Sequence, residues 1–165
     1  MSYKETVKKK TLFLIGLALL GLSVFLLVSS ISYIFTWKED QSLKAVASMF
    51  PEAMRASNRA GGLGYFAGEF LVGSCFGIAA VVFGFTLLYA AFKFLFIKKI
   101  NYLKLVSCAL VGSLLGSLIL SYAAMLLGGQ SQLFLGHGIG GGAGAYLVGA
   151  MSMLIGREVC AVVIL

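Results

Sequence analysis

The residues able to do chemistry in this chain are few and scattered. Glu69, Arg157 and Glu158 stand in or beside long apolar stretches. An ionisable side chain inside a membrane suggests a proton or ion path, whereas at the membrane surface it is solvated and needs no such role. All three lie beside glycine-rich breaks, which favours the surface. His137 is the only histidine, so a Ser/His/Asp triad and a multi-histidine metal site both lack parts. Cys75, Cys108 and Cys160 sit in apolar segments without CxxC or Cys/His spacing, and read as small hydrophobes. Gly136, Gly138 and Gly141 spell G-x-G-x-x-G. A dinucleotide site needs that turn between a strand and a helix, and here it falls between apolar spans. No GxxxxGK[ST] phosphate loop occurs. Catalytic residues, cofactor ligands and metal ligands are therefore not assigned.

Small side chains, in contrast, follow a pattern. Cys108, Gly112 and Gly116 recur every four residues, with Ser113, Ser117 and Ser121 beside them. Gly73 with Gly77, and Ala80 with Gly84, repeat the spacing upstream. Such faces let helix backbones approach closely, and serines can hydrogen-bond across the contact. They serve packing within one chain or contact between copies, and the pattern leaves both open.

The elements that carry these residues belong in lipid. Hydrophobic residues make up 60% of the chain and charged ones 12%, and mean hydropathy is +1.00. One water-soluble core could not hide that much apolar surface. The formal charge is +7, and its placement is the informative part. Lys4, Lys8, Lys9 and Lys10 precede the first apolar run, and Lys93, Lys98, Lys99 and Lys104 surround a break between two others. Basic residues flanking spans face the cytoplasm, with anionic headgroups as partners. Direct nucleic-acid readout is disfavoured.

A span needs roughly 20 apolar residues. The sequence predicts a basic cytoplasmic tail, residues 1–11, and a polytopic membrane domain, residues 12–165. Spans are expected at 12–33, 74–94 and 103–127, with a fourth from about 157 that is incomplete at Leu165. That ending predicts a piece of a longer protein. The first run exceeds a signal-peptide core and lacks an A-x-A site, so it reads as an uncleaved span. Tyr33 and Trp37 fall where an interfacial aromatic belt is expected. In the polar segment that follows, Leu43, Val46, Met49 and Phe50 have the spacing of a surface helix.

The two halves repeat. GGLGYFAGEFLVGSCFGIAAVVF from Gly61 parallels GGAGAYLVGAMSMLIGREVCAVVIL from Gly141. Each has a GGxG start, a short helix containing an aromatic residue, a glycine break and an apolar run; the first break is placed at Gly73. The expected fold is an all-α membrane protein, with four transmembrane helices as two parallel helical-hairpin repeats. Each repeat carries a short Gly-flanked interfacial helix.

Ordered short motifs then point to a family. Phe35-Thr36-Trp37-Lys38-Glu39-Asp40-Gln41-Ser42, the run Asn58-Arg59-Ala60-Gly61-Gly62-Leu63-Gly64 leading through Phe70 to Gly77, and Gly140 to Gly156 resemble the membrane region of FtsK/SpoIIIE-type DNA translocases. The resemblance covers essentially the whole chain. It implies a four-span domain in the bacterial cytoplasmic membrane that localises to the division septum and contacts other division proteins. It also implies a cytoplasmic hexameric motor in the parent protein, using ATP and Mg and pumping DNA, none of which these residues contain. Trp37, Asp40, Gln41, Gly61, Gly62, Glu69 and Arg157 become the interaction candidates, and homo-oligomerisation through the small-residue faces is expected. The rival reading is a small transporter or channel subunit, with broken helices around Glu69 and Arg157.

Overall fold

The computed structural model describes residues 3–40, 56–96, 101–128 and 134–164. Gln41, the expected surface helix around Leu43 to Phe50, and Lys98 and Lys99 lie outside the described residues. Among the described residues every regular element is helical. Helix α1, Tyr3–Thr36, has 34 residues and extends about 50 Å at 1.5 Å per residue. Helix α2, Gly61–Gly68, continues into a π-helical segment, Glu69–Phe76. One 3₁₀ turn, Gly77–Ala79, then leads into α3, Ala80–Leu95. Helix α4, Tyr102–Leu127, is capped by Asn101, whose side-chain oxygen accepts the Lys104 N–H. A 3₁₀ turn at Phe134–Gly136 precedes α5, Gly141–Ile155, and α6, Arg157–Ile164.

Among the described residues three helical stretches are long and apolar enough to cross a bilayer, 9–36, 61–95 and 103–127, and α5 is a shorter apolar helix. The architecture is that of an all-α four-span membrane domain. Its outward faces carry exposed Leu14, Val82, Leu103 and Leu126, side chains that lipid rather than water must solvate. Helices α1 and α3 run antiparallel in close contact. A Cβ added at Gly16 would come within 2.9 Å of the Leu95 backbone, and one at Gly84 within 2.6 Å of Leu27.

The repeat is legible in the backbone. Gly61 and Gly141 both adopt positive φ, 70° and 77°. Each donates its N–H to the carbonyl three residues earlier, Asn58 at 2.8 Å and Gly138 at 3.0 Å. Gly64 lies against the Ser29 hydroxyl of α1, and Gly144 against the Ser117 hydroxyl of α4. The copies end on glycines of positive φ as well, Gly77 at 63° and Gly156 at 82°.

The first break is therefore at Gly77, not at the expected Gly73. Gly73 lies inside the π-helical segment, where a Cβ would come within 2.9 Å of the Tyr33 hydroxyl. It is glycine for proximity, whereas Gly77 is glycine for conformation as well. The corrected break exposes a length difference. Gly77 follows Gly61 by sixteen residues, and Gly156 follows Gly141 by fifteen. A π turn absorbs one extra residue in a helix. The π-helical segment is where the first copy accommodates the residue that the second copy, regular α-helix throughout α5, does not have.

The copies dock through glycine. The Ile78 N–H donates to the Ile139 carbonyl at 3.0 Å. Gly77 lies directly on Ile139 and Gly140, and Gly141 on Gly77, Cys75 and Val72. On the other side the Ser117 hydroxyl donates to the Gly140 carbonyl at 2.5 Å. Removing that hydroxyl with Ser117→Ala is expected to lower stability by about 1 kcal/mol, the net value of one neutral hydrogen bond. The measurement is the unfolding midpoint of the detergent-solubilised domain.

Candidate interaction site

The polar residues gather at the end of α1, where α2 crosses it. Asn58, 4% exposed, bridges the two. Its side-chain N–H donates to the Ser29 carbonyl at 3.0 Å, and its side-chain oxygen accepts the Ala60 N–H at 2.9 Å. The Arg59 N–H donates to the Ser32 hydroxyl at 2.9 Å. Asp40, also buried, accepts the Ser57 N–H through Oδ1 at 2.8 Å, while its Oδ2 has no partner among the described residues. These bonds hold the lead-in to α2 against α1, because backbone donors cannot be left dry beside apolar helices.

Below this layer Tyr33 and Tyr65 form a plug. Both are 2% exposed, with ring centroids 6.0 Å apart and tilted by 42°. Tyr33 was expected in an interfacial belt and is instead in the core. Gly68 and Gly73 on the crossing helix leave the space its ring occupies. Glu69 sits beside the plug at the start of the π-helical segment, accepting the Ser74 hydroxyl at 3.1 Å. Trp37 meets Phe134 edge-on at 5.7 Å, tying the end of α1 to the turn that leads into the second copy. Lys38 Nζ lies 5.7 Å from the Trp37 ring centre, close enough for a cation–π contact.

The remaining site candidates separate. Gly61 and Gly62 are half-buried at the start of α2. Arg157 is exposed at the start of α6, and its carbonyl accepts the Tyr122 hydroxyl at 3.2 Å. Glu69 and Arg157 thus belong to different repeats and have different neighbours. The small-residue face of α4 divides too. Ser113, Ser117 and Ser121 are buried, and Gly116 packs on Ala79, all within one chain. Cys108 is exposed, and a Cβ at Gly112 would meet nothing within 4 Å. Of the cysteines only Cys160 is buried.

A cavity of about 330 Å³ opens in the second copy, between α4, α5 and the turn before α5. Ser121, Met125, His137, Ala145, Val148 and Gly149 are among its lining residues. Neither this cavity, nor Asn58, nor the Tyr33–Tyr65 plug was singled out from the sequence. The usable signal was the different residue count between corresponding glycines, which points to a difference in how the two copies fill the same space.

The family model for the 4TM region of DNA translocase FtsK/SpoIIIE matches residues 9–165. The chain belongs to this family. Comparison with curated proteins and with solved structures returns no match. The 4TM match accords with the helical architecture and with the apolar outer surface, and makes this chain the membrane region of a DNA translocase family. In this 4TM region the glycine junction joins the two repeats, and the tyrosine plug packs between α1 and the helix that crosses it.

Proposed function

We propose that this 4TM region is a membrane anchor and assembly module. It tethers a cytoplasmic ATP-driven DNA motor, carried by a part of the parent protein outside these residues, at the division septum of a bacterial inner membrane. The observation that carries the reading is the family match over residues 9–165. The module itself is not an enzyme in this reading; ATP, Mg and duplex DNA are handled by the motor. The N-terminal tail and the connection between α3 and α4 face the cytoplasm, as their lysines favour.

Tethering works through effective concentration. Motor subunits held by a common membrane assembly meet at concentrations their free diffusion would not supply. The open part of the α4 face, Cys108 and Gly112 flanked by exposed Val111 and Leu115, is the surface proposed for contact between copies. Mild oxidation of membranes is expected to give a disulfide-linked dimer through Cys108, and Gly112→Leu to reduce its yield at least severalfold. Equal yields in the two proteins would remove α4 from the interface.

Septal placement has its own test. A fluorescent fusion of these residues, without any motor, is expected to concentrate at division sites in dividing cells. Even distribution around the cell membrane would refute targeting by this domain.

A further inference from the structure

One lysine lies deeper than its neighbours. Helix α3 carries Lys93 in its last turn, within a stretch long and apolar enough to cross a bilayer. The close contact of Gly16 with Phe94 and Leu95 sets its level. Gly16 is four residues inside the span expected from Leu12, and Lys93 is two residues deeper than Leu95. The Lys93 backbone thus lies about 9 Å inside that boundary, at 1.5 Å per residue. Lys9 and Lys10 stand outside it and are exposed, whereas Lys93 is half-buried.

The side chain does not run outward to the surface. Its Nζ lies 5.2 Å from the centre of the Tyr89 ring, one turn nearer the bilayer midplane, as helical side chains lean toward the N-terminus. The ammonium so turns away from the carbonyl end of α3, which could have received it. A cation–π contact stabilises the charge in part but does not neutralise it. The chain's own carboxylates are elsewhere. Five of the six acidic residues lie between Glu39 and Glu69 or at Glu158, in the stretches that link the far ends of the spans. The sixth, Glu5, is eleven residues beyond Gly16 on α1, about 16 Å further along the axis. A cation at this depth calls for an anionic partner.

We propose that Lys93 and Tyr89 hold the phosphate of one anionic phospholipid. The ammonium supplies the charge, and the phenol hydroxyl is a second donor to a phosphate oxygen. The pair is open to lipid. Tyr89 is exposed, as are Val82 and Phe85, which precede it on the same face at steps of three and four residues. That strip is bulky throughout and lacks the small residues that let a second helix approach closely, so it suits an acyl chain below the headgroup. Lys9, Lys10 and Lys104, exposed at the same end of the spans, favour a lipid of net negative charge over a zwitterionic one.

The test is native mass spectrometry of the full chain, released from micelles containing equal amounts of phosphatidylglycerol and phosphatidylcholine. One retained phosphatidylglycerol is expected. Lys93→Gln should lower that adduct at least about fivefold, Lys93→Arg should keep it, and Tyr89→Phe should lower it about two- to threefold. Lys10→Gln, in the exposed tail, should change it less than about twofold. Size-exclusion profiles matching the wild type show that each variant is folded, and Lys93→Arg carries the comparison if Lys93→Gln is not. Excess inorganic phosphate should leave the adduct in place. Equal retention in Lys93→Gln and Lys10→Gln, no preference between the two lipids, or displacement by free phosphate would overturn the proposal. So would a photo-crosslinking residue at Phe85 that captures a protein in membranes in place of lipid. Septal anchoring does not enter, because lipid retention is measured on purified protein.

Discussion

Gly77→Val is expected to prevent stable folding of the 4TM region. Two costs act at this one position. The backbone there has φ of 63°, a conformation costing a non-glycine residue roughly 1–3 kcal/mol, more when β-branched. The added Cβ would also overlap the Ile139 carbonyl and the Gly140 backbone, which cannot yield as a flexible side chain does. Separating the repeats would break the Ile78-to-Ile139 hydrogen bond as well. Together these costs come to roughly 4 kcal/mol or more, a large share of a domain's net stability. Gly21→Ala is the matched control, since its Cβ would meet nothing within 4 Å. It should leave stability unchanged or raise it by up to about 1 kcal/mol through helix propensity. Fluorescence-detected size-exclusion chromatography after a temperature ramp checks both. A Gly77→Val protein as heat-resistant as Gly21→Ala would show that the repeats do not dock through this junction.

Asn58→Leu is the second large effect, with an expected loss of roughly 2–4 kcal/mol. The substitution removes the donor to the Ser29 carbonyl and leaves the Ala60 N–H without its acceptor in a buried place. Leucine restores bulk, so the loss reports hydrogen bonding rather than a cavity. The expected readout is early loss of protection at the lead-in to α2 in hydrogen–deuterium exchange, ahead of α1 and α3. Thr86→Ala provides the comparison, because its exposed hydroxyl bonds only the Val82 carbonyl of its own helix. It should change stability by no more than about 0.5 kcal/mol. Similar destabilisation by both would mean that the polar layer does not hold α2 to α1.

The fold class could be read from the sequence because lipid imposes a simple rule. A helix in hydrocarbon satisfies its own backbone and shows long apolar runs with charges at the ends, and Leu12 to Tyr33 meets that rule without ambiguity. The repeat was readable for a related reason, since GGxG marks two positions whose neighbours come too close for side chains. Glycine identity alone, however, does not say why a glycine is there. Gly73 and Gly77 look alike in the chain, yet one makes room for Tyr33 and the other turns the backbone, and only the partner elements distinguish them. Tyr33 shows the same limit. Its position near a span end suits an interfacial belt, and its burial depends on Gly68 and Gly73, more than thirty residues away in the chain. The serine face of α4 was ambiguous between internal packing and contact between copies until Gly140 and Gly144 were seen against Ser117 and Ser121. The cavity was least visible, because it consists of side chains that are missing.

Passage of the two repeats through the membrane in the same direction is what their matching GGxG starts and the lysine-rich ends predict. Its most direct test is labelling of single cysteines by a membrane-impermeant maleimide in intact cells, in a background lacking Cys75, Cys108 and Cys160. Lys38→Cys and His137→Cys, which precede corresponding glycine-led helices, are expected to react from outside. Lys9→Cys and Lys104→Cys should react only after the cells are permeabilised. Labelling Lys38→Cys and His137→Cys from opposite sides would contradict the parallel repeat.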